Sequence, residues 1–173
     1  MTIKPVRYQN KKSPAFLLGC MSFGSPIWRK WVLNDEKSQL LLKLALDNNI
    51  TFFDTANVYS EGLSEKILGS FIKQNARRDE VVIATKMFYP SPETPGQIGL
   101  TKQNIISSLD GSLKRLDTDY IDVYQTHRWD DLTPIEETME AFHSLIKSGK
   151  VRYIGASNMH WWHLAKAQLV AKE

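Results

Sequence analysis

Ile50-Thr51-Phe52-Phe53-Asp54-Thr55-Ala56-Asn57-Val58-Tyr59 is a short apolar run that stops on a carboxylate and is followed, five residues further on, by a phenol. The pattern repeats along the chain. Val81-Val82-Ile83-Ala84-Thr85 stops on Lys86, Tyr120-Ile121-Asp122-Val123-Tyr124-Gln125-Thr126 stops on His127, and Val151-Arg152-Tyr153-Ile154-Gly155-Ala156 ends in Ser157-Asn158. Short runs rich in β-branched and aromatic residues read as strands. Polar groups gathered at the carboxyl ends of parallel strands are where an α/β barrel, or any open α/β sheet, keeps its site. Asp54, Tyr59, Lys86 and His127 also make a proton-transfer set. A phenol beside an ammonium and a carboxylate, with an imidazole facing them, can give a proton to a carbonyl oxygen.

Intervals of 32, 41 and 31 residues separate Asp54, Lys86, His127 and Asn158. A β/α unit takes about 30 residues, so the spacing predicts consecutive strand–helix units. The first helix starts at Asn34 or Asp35, turns Leu40, Leu41 and Leu44 inward and stops at Asn48-Asn49. The second runs from Ser64 with Ile67, Leu68, Phe71 and Ile72 inward, and the third follows Thr101 as its cap, with Ile105, Leu109, Leu113 and Leu116 at helical spacing. Thr133 and Glu136 spell a capping box around Pro134 at the start of a fourth helix that Gly149 ends. Trp161 to Lys172 forms a fifth. A strand Phe16-Leu17-Leu18 leads into Gly19-Cys20-Met21, and the residues around Tyr8 add a small hairpin beneath the sheet. The segment 89–99, with three prolines and two glycines, reads as a surface loop over the strand ends.

With 173 residues, 42% hydrophobic and 24% charged, the chain has ordinary globular composition and is long enough for one domain. A net charge of +3, spread among 19 acidic residues, leaves no nucleic-acid or membrane footprint. No stretch approaches the roughly 20 apolar residues of a membrane span, and Met1 to Arg7 lacks a secretory apolar region, so a cytoplasmic protein is expected. The single Cys20 excludes an intramolecular disulfide and reads as a small buried hydrophobe. There is no G-x-G-x-x-G and no phosphate-binding P-loop. His160 and His163 flank Trp161-Trp162 without a carboxylate or cysteine set nearby, which points to packing, and no metal is expected.

Phe53-Asp54-Thr55-Ala56-Asn57-Val58-Tyr59-Ser60-Glu61-Gly62-Leu63-Ser64-Glu65, Ala84-Thr85-Lys86, Tyr120 to His127, and Gly149 to Asn158 together resemble the aldo-keto reductases, most closely the fungal and bacterial aryl-alcohol dehydrogenase-like branch. The resemblance covers nearly the whole chain in order. It implies a TIM-type (β/α)8 barrel and NADPH-dependent reduction of an aldehyde or ketone, with alcohol oxidation as the reverse. It implies Tyr59 as the acid, Lys86 as the cation without which a phenol is too weak an acid at neutral pH, Asp54 as holder of the ammonium, and His127 on the carbonyl oxygen. By the same resemblance Ser157 and Asn158 hold the nicotinamide carboxamide, and the backbone of Gly19, Cys20 and Met21 lies beside the cofactor, together with Asp54.

Taken singly, each residue has a plainer reading: Asp54 as a cap or turn former, Lys86 as a solvated charge, Tyr59 as packing, His127 as part of an ion-pairing loop with Arg128-Trp129-Asp130-Asp131. Their joint fall at the same end of successive strands reverses that. A complete (β/α)8 barrel takes about 250 residues, so residues 1–173 are expected to form a single, truncated barrel of about five β/α units. The implied pyrophosphate loop and the pocket for the adenosine 2′-phosphate belong to the units that do not follow. Two readings therefore stand at this point. The chain is an oxidoreductase acting on a small-molecule carbonyl or alcohol, or it is a non-catalytic half-barrel, an interaction fragment or inert relic. Parallel strands are normally buried on both faces, so the open sheet edges are expected to drive self-association.

Overall fold

The structure is a computed structural model that describes residues 7–8, 11–12 and 16–171. Strand β1 (Arg7–Tyr8) pairs antiparallel with β2 (Lys11–Lys12), the hairpin expected around Tyr8. The main sheet holds five parallel strands in chain order: β3 (Leu18–Gly19), β4 (Phe52–Asp54), β5 (Val82–Met87), β6 (Ile121–Thr126) and β7 (Val151–Ala156). Each is followed by a helix: α1 (Asp35–Asp47), α2 (Leu63–Asn75), α3 (Lys102–Leu116), α4 (Ile135–Lys147) and α5 (Trp161–Val170). Sequential parallel order with a helix after every strand is the architecture of a partial α/β barrel.

The two faces of the sheet differ. Phe53, Ile83, Thr85 and Tyr124 point toward the helices and are fully buried. Tyr124 meets Phe142 of α4 edge-on and donates its hydroxyl to the Ile105 carbonyl of α3. Residues of opposite parity, Asp54, Ala84, Lys86, Gln125 and Gly155, line the inner face. The register pairs Asp54 with Ala84, Lys86 with Gln125, and Gln125 with Gly155. That inner face stays partly open, with Tyr153 44% exposed.

Three expectations shift. The first strand is Leu18–Gly19, so Phe16 and Leu17 precede it. Helix α1 buries Ser38, Leu42 and Ala45, whereas Leu40 and Leu44 are 67% and 59% exposed. Ser38 can occupy the buried face because its hydroxyl donates to the Asn34 carbonyl. The capping box at Thr133 and Glu136 does not form. Thr133 donates to Asp130 instead, at 2.6 Å, and Pro134 is the cap residue of α4 and not its first helical one.

The other caps fall where the sequence places them. Asn34 accepts from the Lys37 N–H, and Thr101 from the Asn104 N–H, each satisfying an amide at its helix start. Ile67, Leu68, Phe71 and Ile72 of α2 are buried, as are Ile105, Leu109 and Leu116 of α3 with Leu113 packed against them. Helix α5 carries no buried residue, and Trp161 is 77% exposed. Lys172, the expected end of α5, lies outside the described residues.

Candidate active site

Backbone bonds that run on past the strands fix this end of the sheet. Cys20 N–H donates to the Asp54 carbonyl, Thr55 N–H to Ala84, Asn57 N–H to Lys86, His127 N–H to Met87 and Ser157 N–H to Thr126. The side chains at that end are thus held by the sheet itself.

Lys86 is buried and places its ammonium 2.5 Å from Asp54 Oδ2 and 2.9 Å from the Thr55 carbonyl. The other carboxylate oxygen, Oδ1, accepts from the Gln125 side-chain amide at 3.0 Å. Lys86 Nζ stands 5.2 Å from the centre of the Tyr59 ring. The His127 ring meets Tyr59 edge-on at 5.6 Å, and Tyr89 packs against the same imidazole at 5.4 Å. The four residues of the proton-transfer set are therefore brought together. Burial, and then the Lys86 charge, push His127 down to about 4, with Asp54 pulling the other way. Its Nδ1 is buried with no hydrogen-bond partner among the described residues.

Tyr59 sits on a turn with unusual backbone. Ser60 and Glu61 both adopt left-handed conformations, at φ 50° and 56°, and Gly62 follows at φ 84°. Non-glycine residues avoid this region, at a cost of about 1–2 kcal/mol each. Long-range bonds hold the turn. The Ser60 hydroxyl accepts from the Ser25 N–H at 2.8 Å, and Gly24 leaves the room, since a Cβ there would lie 2.2 Å from the Ser60 side chain. Ser64 donates to the Cys20 carbonyl and shares a hydrogen bond with Thr55. Glu65 accepts from Thr85 and pairs with Arg115 at 2.7 Å, all three side chains being buried. Ser64-Glu65, at the start of α2, is thus the fixture that holds the turn.

Asn158, in a left-handed conformation, donates its side-chain amide to the His127 carbonyl at 3.1 Å, leaving its own oxygen without a partner among the described residues. Gly19 is exposed at the end of β3 beside Asp54, and a Cβ there would meet nothing within 4 Å. Met21 is exposed as well. Cys20 is buried and burial raises its thiol pKa, which removes it as a nucleophile and leaves only its backbone for any ligand. A free amide oxygen at Asn158 and an open ledge at Gly19 and Met21 fit a nicotinamide ring with its carboxamide. His163 stacks on Trp129 and His160 on Trp162, each at 4.1 Å. Among the described residues no group of three or more His, Cys, Asp or Glu could hold a metal ion.

Sequence reasoning passed over Gln125 and Tyr89. The parity of β6 was the available signal for Gln125, since it shares the inner face with Val123 two residues before His127. Tyr89 begins the 89–99 loop, which closes over this end of the sheet by accepting from Asn57 at its carbonyl.

The Aldo/keto reductase family pattern matches residues 15–173. The chain is 43% identical to a versiconal hemiacetal acetate reductase of Aspergillus parasiticus, over 90% of this chain and 50% of that protein. It is 40% identical to a protein of Schizosaccharomyces pombe provisionally named an aryl-alcohol dehydrogenase, over 94% of this chain and 53% of that one. A thermostable aldo-keto reductase crystallised with the inhibitor epalrestat superposes with a TM-score of 0.81 at 33% identity, over all of this chain and 60% of its own. The holo form of an aldo-keto reductase from Bacillus halodurans gives 0.76 at 31%, over 90% of this chain and 49% of its own. The chain spans about half the length of the curated relatives it matches.

Proposed function

The chain belongs to the aldo/keto reductase family, and on that premise we propose that it carries the proton-transfer site of an NADPH-dependent reductase that turns an aldehyde or ketone into the alcohol, or runs the reverse. Tyr59 is the general acid, Lys86 the cation beside it, Asp54 the anchor of that cation and His127 a neutral donor to the carbonyl oxygen.

The observation that carries this assignment is the cluster itself: the Lys86 ammonium lies 2.5 Å from Asp54 and 5.2 Å from the centre of the Tyr59 ring, and His127 packs edge-on against that ring. Burial and the Lys86 charge push the His127 imidazole down to about 4, so it is neutral at pH 7. His127 then offers a hydrogen bond and no proton, and the proton comes from the phenol packed against it. A bound nicotinamide supplies the hydride for the carbonyl carbon. As charge grows on the carbonyl oxygen, the Tyr59 hydroxyl passes its proton there, and the phenolate left behind faces the Lys86 ammonium. Two of the three ammonium N–H groups are committed to Asp54 and the Thr55 carbonyl, so the third remains for the phenolate. Asn158 and Ser157 hold the carboxamide, with Gly19, Cys20, Met21 and Asp54 along the ring. The Asn158 bond to the His127 carbonyl ties the cofactor-holding strand end to the carbonyl-binding one.

Residues 1–173 act as a single domain, five β/α units of a barrel that works when further units cover its inner face, and the protein is cytoplasmic. The exposure of Tyr153 and the absence of any buried side chain on α5 support the reading that further units cover this face. The same openness favours a second reading for the chain by itself, a non-catalytic half-barrel that self-associates through its open sheet edges. No helix among the described residues is long and apolar enough to cross a membrane.

Tyr59→Phe in the complete protein carrying this sequence tests the reading. Carbonyl reduction should fall by about 10²- to 10⁴-fold while NADPH affinity changes by no more than a few-fold, because the change deletes a proton donor and little packing. A variant retaining more than about a third of the wild-type rate would remove Tyr59 from the role.

A further inference from the structure

We propose that Gln125 is a positioning residue for proton transfer, fixing the Asp54 carboxylate so that Lys86 is held toward Tyr59; the inference rests on the functional reading above. Asp54 and Gln125 are 71 residues apart in sequence, on β4 and β6, with β5 between them. The Gln125 amide reaches over the inner face of β5 to donate to Asp54 Oδ1 at 3.0 Å, while Lys86 takes Oδ2 at 2.5 Å. Lys86 and Gln125 are register partners on adjacent strands, so the carboxylate is held by two donors that stand side by side.

Each donor fixes a different degree of freedom. A carboxylate bound at one oxygen alone can rotate about its Cβ–Cγ bond and carry the bound ammonium with it. Binding both oxygens removes that rotation. Lys86 is then located by Asp54 and the Thr55 carbonyl together, and the direction of its remaining N–H is set. The space that lets Gln125 adopt this reach comes from the next strand. A Cβ on Gly155, its register partner on β7, would lie 3.0 Å from Gln125 Cγ and 3.4 Å from Oε1. Four strands thus contribute to the placement of one ammonium: the gap at Gly155, the amide at Gln125, the cation at Lys86 and the carboxylate at Asp54. Gln125 touches neither Tyr59 nor His127 in any hydrogen bond or ring contact of the described residues, so its influence passes through Asp54.

Gln125→Met keeps the length of the side chain and deletes the donor. In the complete protein, kcat should fall about 10- to 100-fold, the loss expected when a reacting group is displaced by about 1 Å, with KM for NADPH within about two-fold. In an Asp54→Asn background, the same change should cost less than about two-fold, because the carboxylate it acts through is gone. Gln125→Glu supplies a variant of unchanged shape. Its carboxylate opposes Asp54 when ionised and donates to it when protonated, so its rate relative to wild type should rise as the pH is lowered. A Gln125→Met rate within two-fold of wild type, an equal factor in both backgrounds, or a Gln125→Glu ratio that is flat with pH would each overturn the proposal. Failure of the underlying reading looks different, since wild-type protein would then show no carbonyl reduction or would keep it in Tyr59→Phe.

Discussion

Asp54 and Asp122 are two carboxylates at opposite ends of one parallel sheet, and each is paired with cations in a different way. At the amino-terminal end Asp122 is fully buried, with Arg78 at 2.7 Å, Arg152 at 3.2 Å and the Ile83 N–H at 2.9 Å. Both guanidinium groups also lie over the Tyr120 ring, at 3.9 and 3.8 Å. Arg78 is committed further, to the Tyr120 and Val81 carbonyls and to Thr118. At the carboxyl-terminal end, Asp54 remains partly open to the interior and holds one ammonium that keeps a donor in reserve beside Tyr59. Where two guanidinium groups converge on one fully buried carboxylate the network fixes structure. Where one donor is left over, the network can do chemistry.

The largest effect that could break this contrast belongs to Asp122. Asp122→Ala removes the buried carboxylate shared by Arg78, Arg152 and the Ile83 N–H, and removing one partner of a buried ion pair costs about 3–5 kcal/mol. Urea unfolding of the complete protein should show that loss. A variant within about 1 kcal/mol of wild type would mean that the amino-terminal network is not holding the fold.

The second effect is in pH. Burial pushes Asp122 up to about 6, against the pull of the Ile83 N–H and Arg152, whereas burial and Lys86 push His127 down to about 4. The folded state therefore binds the Asp122 proton more readily than the unfolded chain does, and that contribution grows as pH falls from 6 toward 3.8. His127 acts in the opposite sense. The unfolded chain takes its proton first, so stability is lost as pH falls from 6.5 toward 4. Relative to wild type, His127→Gln should lose less stability on acidification and Asp122→Asn should lose more, by at most about 3 kcal/mol for either group. Parallel stability–pH curves for the three proteins would contradict this.

The smallest effect concerns the turn that carries Tyr59. Ser60→Ala keeps the left-handed backbone but deletes the acceptor for the Ser25 N–H, a loss of about 1 kcal/mol. The same variant should lower kcat more than it raises KM for substrate, since the turn positions the acid. A rate equal to wild type would show that the strained turn does not need the Ser60–Ser25 bond.

How much of this was legible in the sequence follows from how local each signal is. The strand ends at Asp54, Lys86 and His127 could be read because a short apolar run and the polar residue that stops it are neighbours in the chain. The inward face of α1 could not, because Leu40, Leu41, Leu42 and Leu44 surround the helix and no single period selects one side. Thr133 and Glu136 carry the letters of a capping box, but Asp130, which also accepts from the Leu100 N–H, draws the Thr133 hydroxyl away. Asp122 lay unremarked inside a strand, and Gln125 likewise, because their partners stand on other strands and the sequence does not state which. The roles of Ser64 and Glu65 were hidden for the same reason, since the motif is local while its contacts to Cys20, Thr85 and Arg115 are not.

The most direct test puts isosteric changes at the two ends side by side, measuring kcat for carbonyl reduction and the free energy of urea unfolding for Asp54→Asn and Asp122→Asn in the complete protein. The account predicts a crossed result. Asp54→Asn should lose about 10²-fold or more in kcat and less stability than Asp122→Asn, because the Asp54 side chain is 24% exposed and that of Asp122 fully buried. Asp122→Asn should lose more stability while the fraction still folded turns over at close to the wild-type rate. Equal losses of rate and stability in both variants would contradict it.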